Sequence, residues 1–183
     1  MKSLALNGSS MGTIEQLVNF TIEYSLAPQM VIFSHGLGVR RDARGMFTDL
    51  VANLPVNFGY VLFEYNDDQD ENVRTTLAAE EVHRLQLVLD WARRQPTTKH
   101  TNLIAHSRGC RIAALAAPTS LRRAVLLAPP LMASLSKQRF VAKPGAVRQG
   151  DEWYIPRSDG TISIFPDAVF EEFTGEDPQN ALV

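Results

Sequence analysis

The sequence predicts an α/β fold: a mostly parallel central sheet with helices on both faces. Three observations carry this. Four short apolar runs, QMVIFS (29–34), YVLFE (60–64), TNLIA (101–105) and AVLLA (124–128), lack polar alternation, as strands buried on both sides do. Segments of helical periodicity separate them. The chain of 183 residues, 45% hydrophobic and 21% charged, is long enough for one domain with a well-buried core.

From the N-terminus, KSLALNG and QLVNFTIEYS predict one or two further strands at the sheet edge, where antiparallel pairing is open to them. A first helix is expected in DARGMFTDLVANL, after the run at 29–34. A stronger one runs from about Glu71 to Arg94: Val82, Leu85 and Leu89 recur at helical spacing, while Glu80, Glu81, Arg84, Asp90, Arg93 and Arg94 are assigned to the wet side. Pro96 then sets a boundary after Gln95. Ser107 to Ala117 forms a third helix whose alanines permit close packing on the sheet.

After Pro129-Pro130 the pattern changes. Ser158-Asp159-Gly160 reads as a turn between EWYIP and TISIF, with a short helix beginning near Pro166. The whole chain, 1–183, therefore reads as one domain in which 131–183 is an excursion of hairpin and short helix.

Composition excludes several function classes. A net charge of -2 gives no concentrated basic surface for nucleic acid. Cys110 is the single cysteine, too few for a disulfide or a thiolate metal site. The apolar run in MKSLALNGSSMG is too short for a signal peptide, and no segment is long enough to span a bilayer, so the expectation is a cytoplasmic protein with no membrane partner. NGSSMG lacks the spacing of a phosphate loop, and no cofactor or metal is expected.

The chemistry concentrates in LIAHSRG. Ser107 follows a buried-type strand and precedes a helix, so a sharp reversal there would expose its hydroxyl at the carboxyl end of the sheet, beside helix-start amides that favour negative charge. Gly109 and Ala105 are small where such a bend meets its neighbours. This stretch resembles the nucleophile elbow of the α/β-hydrolases, usually glycine-x-serine-x-glycine, with Ala105 in place of the first glycine. Upstream, FSHGLG (33–38) is similar to that superfamily's histidine-glycine turn, His35-Gly36 here. The resemblance runs from about residue 20 to 130, with the parts in family order, and it is closest to small bacterial serine hydrolases of the esterase type.

The resemblance implies Ser107 as nucleophile and the backbone N–H groups of Leu37 and Arg108 as oxyanion donors, with an ester-like small molecule as substrate. His35, Gly36, Ala105, His106 and Gly109 are then supporting residues of the two turns.

Half of that machinery is missing. The family order is serine, acid, histidine, yet His35, His83, His100 and His106 all precede Ser107, and no strand-linked aspartate follows AVLLAPP. Asp159 reads as a hairpin-turn residue and Asp167 as a helix-start residue, with Asp151 and Asp177 as further carboxylates. His106 is expected to point away from Ser107, and His35 to support its own turn. Three explanations stand: a fragment lacking its last strands and triad partners, a natural truncation used for binding, or unusual catalysis with a base from elsewhere. A sheet cut short exposes an edge, which predicts self-association.

Arg40, Arg41, Arg44, Arg108 and Arg111 flank the two turns. They either draw an anionic substrate toward the sheet's carboxyl end or form a charged surface, with Asp42 and Asp49 as local partners and the Arg108 side chain projecting outward. Trp91 is expected to pack in the core; Trp153 and Tyr154 either line a small cap above Ser107 or form the hairpin's packing face.

Overall fold

The computed structural model describes residues 22–65, 72–130 and 137–172. KSLALNG, most of QLVNFTI, Glu71 at the start of the second expected helix, and Asp177 lie outside the described residues. The elements are strands β1 (Ile22–Ser25), β2 (Gln29–Ser34), β3 (Phe58–Phe63), β4 (Val73–Arg74), β5 (His100–His106), β6 (Arg123–Leu127), β7 (Val147–Gln149), β8 (Glu152–Pro156) and β9 (Ile162–Pro166). The helices are α1 (Met46–Ala52), α2 (Ala78–Arg94), α3 (Arg108–Ala116), α4 (Lys137–Val141) and α5 (Asp167–Glu171).

The central sheet has the order β1-β3-β2-β5-β6, parallel except for β1, which pairs antiparallel with β3. Its inner strands β2, β3 and β5 are largely apolar on both sides because both sides are covered. Met30, Ile32, Val61, Phe63 and Leu103 pack with α2 and α3, through Leu85, Val88, Trp91, Ile112 and Ala113. The alternate residues Val31, Phe33 and Leu62 face α1 through Phe47. Trp91 is a packing residue, edge-on to Tyr24 at 4.9 Å.

Strand order places the site. From β2 the chain crosses to β3 on one side and then returns across β2 to β5 on the other. The carboxyl ends of β2 and β5 therefore flank a topological switch point, the position where open α/β sheets form their binding crevices.

A second sheet, β4-β9-β8-β7, is built from the excursion plus a strand borrowed from before α2. The excursion is thus more than the expected hairpin and helix. Its apolar side, Ile155, Phe165 and Phe170, receives Leu37, Phe140 and Trp153. Trp153 belongs to this packing face and donates through Nε1 to Asp167 at 3.0 Å.

Both early helices start later than the sequence suggests. Before α1, Ala43, Arg44 and Gly45 have φ of 49°, 60° and 88°, so the chain turns there while the preceding Arg41 amide is bound by Glu64. Before α2, Val73 and Arg74 pair with β9 and Thr75 N–H donates to the Ile164 carbonyl, so a long-range strand contact replaces the first expected turns.

Candidate active site

β2 and β5 end level, Ser34 opposite Ala105, so the two following turns lie side by side. Ser107 occupies the junction of β5 and α3 with φ 53° and ψ -122°, outside the regions L-residues favour. Its amide donates to the Leu127 carbonyl at the end of β6, 2.9 Å away, so the bend is held from the sheet. Such a backbone persists only where surroundings enforce it.

The surroundings are tight. A Cβ on Gly109 would lie 2.3 Å from the Ser34 carbonyl oxygen and 2.7 Å from that of His35; only glycine fits. A Cβ on Gly36 would meet the Ser107 Cβ and His106 Nδ1 at 3.2 Å each. Ala105 is fully buried beneath them. Leu37 follows Gly36 and turns its side chain into the second sheet's apolar cluster. The Arg108 N–H lies in the first turn of α3, where helix amides point back toward the preceding residue.

Both ring nitrogens of His35 are bonded to backbone. Its Nδ1 donates to the Gly36 carbonyl at 2.9 Å, and its Nε2 accepts the Tyr65 N–H at 3.3 Å, which fixes the neutral tautomer. Burial pushes its pKa down to about 4. The Ser34 hydroxyl donates to the Gly109 carbonyl at 3.1 Å, so the Tyr65 phenol, 2.6 Å away, is the donor of that pair. This network ties the turn after β2 to the turn after β5. Of the other histidines, His83 is exposed on α2, and His100 begins β5, about 20 Å along the strand from its far end.

The arginines mostly have structural partners. Arg108 is buried rather than outward-pointing: Nε donates to Glu81 at 2.7 Å, and one terminal nitrogen reaches the Thr76 carbonyl at 3.1 Å and Glu172 at 3.3 Å. Glu81 is accordingly buried against Arg108 and not on the wet side, and burial raises its pKa despite that cation. Arg111 donates to the Glu172 carbonyl at 3.0 Å. Arg41 binds Glu64, not Asp42 or Asp49, by its amide and its guanidinium.

Asp159 accepts the Thr161 amide and hydroxyl as a turn residue, and Asp167, at the start of α5, holds Lys137, Arg148 and Trp153. Both carboxyls lie well below their usual range through these hydrogen bonds. Sequence reasoning missed Glu81, Glu172 and Tyr65, whose partners are remote in the chain; an arginine at the start of a small-residue helix was the one local sign that a buried counter-ion was needed.

Comparison with solved structures rests on this framework. Est1E from Butyrivibrio proteoclasticus is similar with a TM-score of 0.56 and 15% identity, over 85% of this chain and 62% of that one. The α/β hydrolase GrgF from Penicillium sp. sh18 gives 0.61 and 13%, over 85% and 68%. The chain has the α/β-hydrolase fold. A monoacylglycerol lipase from Paleococcus ferrophilus shares that fold too, at 0.57 and 13%, over 88% and 71%. The chain thus spans less than two thirds of Est1E and about two thirds of GrgF. No protein-family model and no curated protein matches the sequence. Among the described residues of this α/β-hydrolase fold, no group of three His, Cys, Asp or Glu is placed to hold a metal, and no helix is long and apolar enough to cross a membrane.

Proposed function

We propose that the chain carries the nucleophile side of a serine acyl-hydrolase site acting on ester-like small molecules. Ser107 is the nucleophile, and the Leu37 and Arg108 N–H groups receive the developing oxyanion. The observation that carries this reading is the enforced φ of 53° at Ser107, at the carboxyl end of β5, with Gly36 against its Cβ. Attack by the Ser107 oxygen on an ester carbonyl needs an acceptor for the hydroxyl proton, which later returns to the leaving alcohol. His35 cannot serve, since both ring nitrogens are engaged with backbone. The reading assigns no base or acid within the described residues.

Intact-mass analysis after treatment with a fluorophosphonate tests it. The expected result is a single adduct on the folded protein that disappears in Ser107→Ala. Absence of an adduct, or one that survives in Ser107→Ala, rejects Ser107 as an activated nucleophile.

A second reading, a binding or assembly module without catalysis, draws on β6. Among the described residues that strand is an edge of the sheet, and Val125 and Leu126 are 48% and 38% exposed although their type is that of a covered parallel strand. Pairing of two copies at this edge predicts a dimer by sedimentation that Val125→Lys converts to monomer; a monomeric wild type at high concentration would exclude it.

A further inference from the structure

A cavity of about 350 Å³ separates the turn after β2 from the second sheet. Leu37, Phe140, Ile155 and Phe165 supply its apolar lining. Its charged lining, among the described residues, consists of Arg44, Lys143 and Arg157, with no carboxylate. Three cations around one small space repel each other unless an anion joins them.

Local bonding offsets one of these three charges and leaves two. The Arg44 amide donates to the Asp42 carboxylate at 3.2 Å, but among the described residues neither the Arg44 guanidinium nor the Lys143 ammonium has a carboxylate partner; Lys143 lies over the Phe140 ring at 5.4 Å. The Arg157 side chain is only 8% exposed. One terminal nitrogen donates to the Gly38 carbonyl at 2.5 Å, the other lies 3.1 Å from Asp159, and the enclosed Nε has no hydrogen-bond partner. The Asp159 carboxylate thus offsets Arg157, and the Arg44 and Lys143 side chains carry the remaining positive charge of the lining.

Position links the cavity to Ser107. Leu37 and Gly38 line it, and the adjacent Gly36 is the residue packed against the Ser107 Cβ. With Cα atoms about 3.8 Å apart, Gly38 lies within about 8 Å of Gly36. Phe165 and Ser163 close over Gly38, where a Cβ would stand 3.0 and 3.3 Å from them.

We infer that this cavity is a recognition subsite for a carboxylate carried on an apolar body, so that the ester presented to Ser107 has an amphipathic acid at its non-reacting end. The apolar body lies against Leu37, Ile155 and Phe165, and the carboxylate faces Arg44, Lys143 and Arg157. As a statement about substrate this rests on the serine chemistry proposed above; as a statement about binding it does not.

Calorimetric titration of the full chain with 4-phenylbutanoate and with 4-phenylbutan-1-ol, which differ in the charged group, separates the two. The acid is expected to bind about tenfold more tightly, with a preference that weakens as salt rises. Arg44→Gln with Lys143→Gln, both exposed positions, is expected to bring the two ligands within about twofold, and Lys143→Glu to reverse the order. Ser107→Ala is expected to keep the preference. Equal binding of the two compounds, no binding of either, or a preference that survives the double substitution overturns the subsite. Charge-dependent binding without fluorophosphonate labelling upholds the subsite and removes its link to Ser107; labelling without the preference leaves the serine chemistry and removes the subsite.

Discussion

The Glu172 carboxylate sits on the Ala78 amide, which donates to its two oxygens at 2.8 and 3.0 Å. Glu172 follows α5 and Ala78 opens α2, whose own N-cap, Leu77, has no side chain able to accept. The excursion therefore caps a core helix and places negative charge at its positive end.

Glu172→Ala is expected to lower stability by about 1–2 kcal/mol, the usual worth of a cap plus a partly buried charge contact. Urea unfolding measures this directly. Glu172→Gln, which keeps one acceptor oxygen, should lose about half as much.

The pH dependence contains two opposed contributions. His35 has a folded pKa of about 4 against 6.5 when exposed, so its contribution is complete above pH 6.5 and is lost as pH falls toward 4. For Glu81 the folded pKa is raised above 4.5 by burial, so its contribution is complete below pH 4.5 and is lost as pH rises. Between pH 4.5 and 6.5 the two slopes offset each other. Glu81→Gln removes one of them, and the variant's stability is expected to fall by about 2 kcal/mol on going from pH 6.5 to 4.5, from the His35 shift alone, while that of wild type changes much less. Unfolding midpoints across that range that run parallel for the two proteins would contradict this.

The bend responds in opposite directions at two neighbouring positions. Ser107→Gly relieves a left-handed φ and is expected to gain about 1 kcal/mol over Ser107→Ala, after the entropy glycine adds to the unfolded chain. Gly109→Ala drives a methyl into the Ser34 and His35 carbonyls and is expected to cost about 3 kcal/mol. Thermal unfolding of the three variants orders them; a Ser107→Gly protein no more stable than Ser107→Ala would show that the bend is unstrained.

What could be read in advance was what depends on neighbours in sequence. β2 and β5 lie within a residue or so of their apolar runs, because a strand covered on both faces needs continuous apolar side chains whatever covers them; β6 lies equally close to its run, though its side chains stay exposed. The Ser158–Gly160 turn and the small residues around Ser107 are local requirements of the same kind. β4 was hidden in an apparent helix because its partner, β9, comes long after it in the chain. Glu81 looked like a solvent residue for the same reason: its position on the helix repeat says nothing about an arginine at 108. Arg157 and Lys143, which complete the cationic cavity with Arg44, carried no pattern at all; only the folding of the second sheet over Gly38 brings them there.

The two-residue strand β4 also sets an order of events. It is held by β9, and α2 is capped by Glu172, so β4 and the start of α2 reach their native form only after residue 172 has been synthesised. Contacts of such wide separation form slowly. The central sheet, made from nearer pairings, is expected to assemble first and wait with the turn at Leu37 uncovered. The surface proposed to meet substrate is thus completed after the central sheet, and a ribosome-bound chain that stops short of β9 would present the serine without its roof.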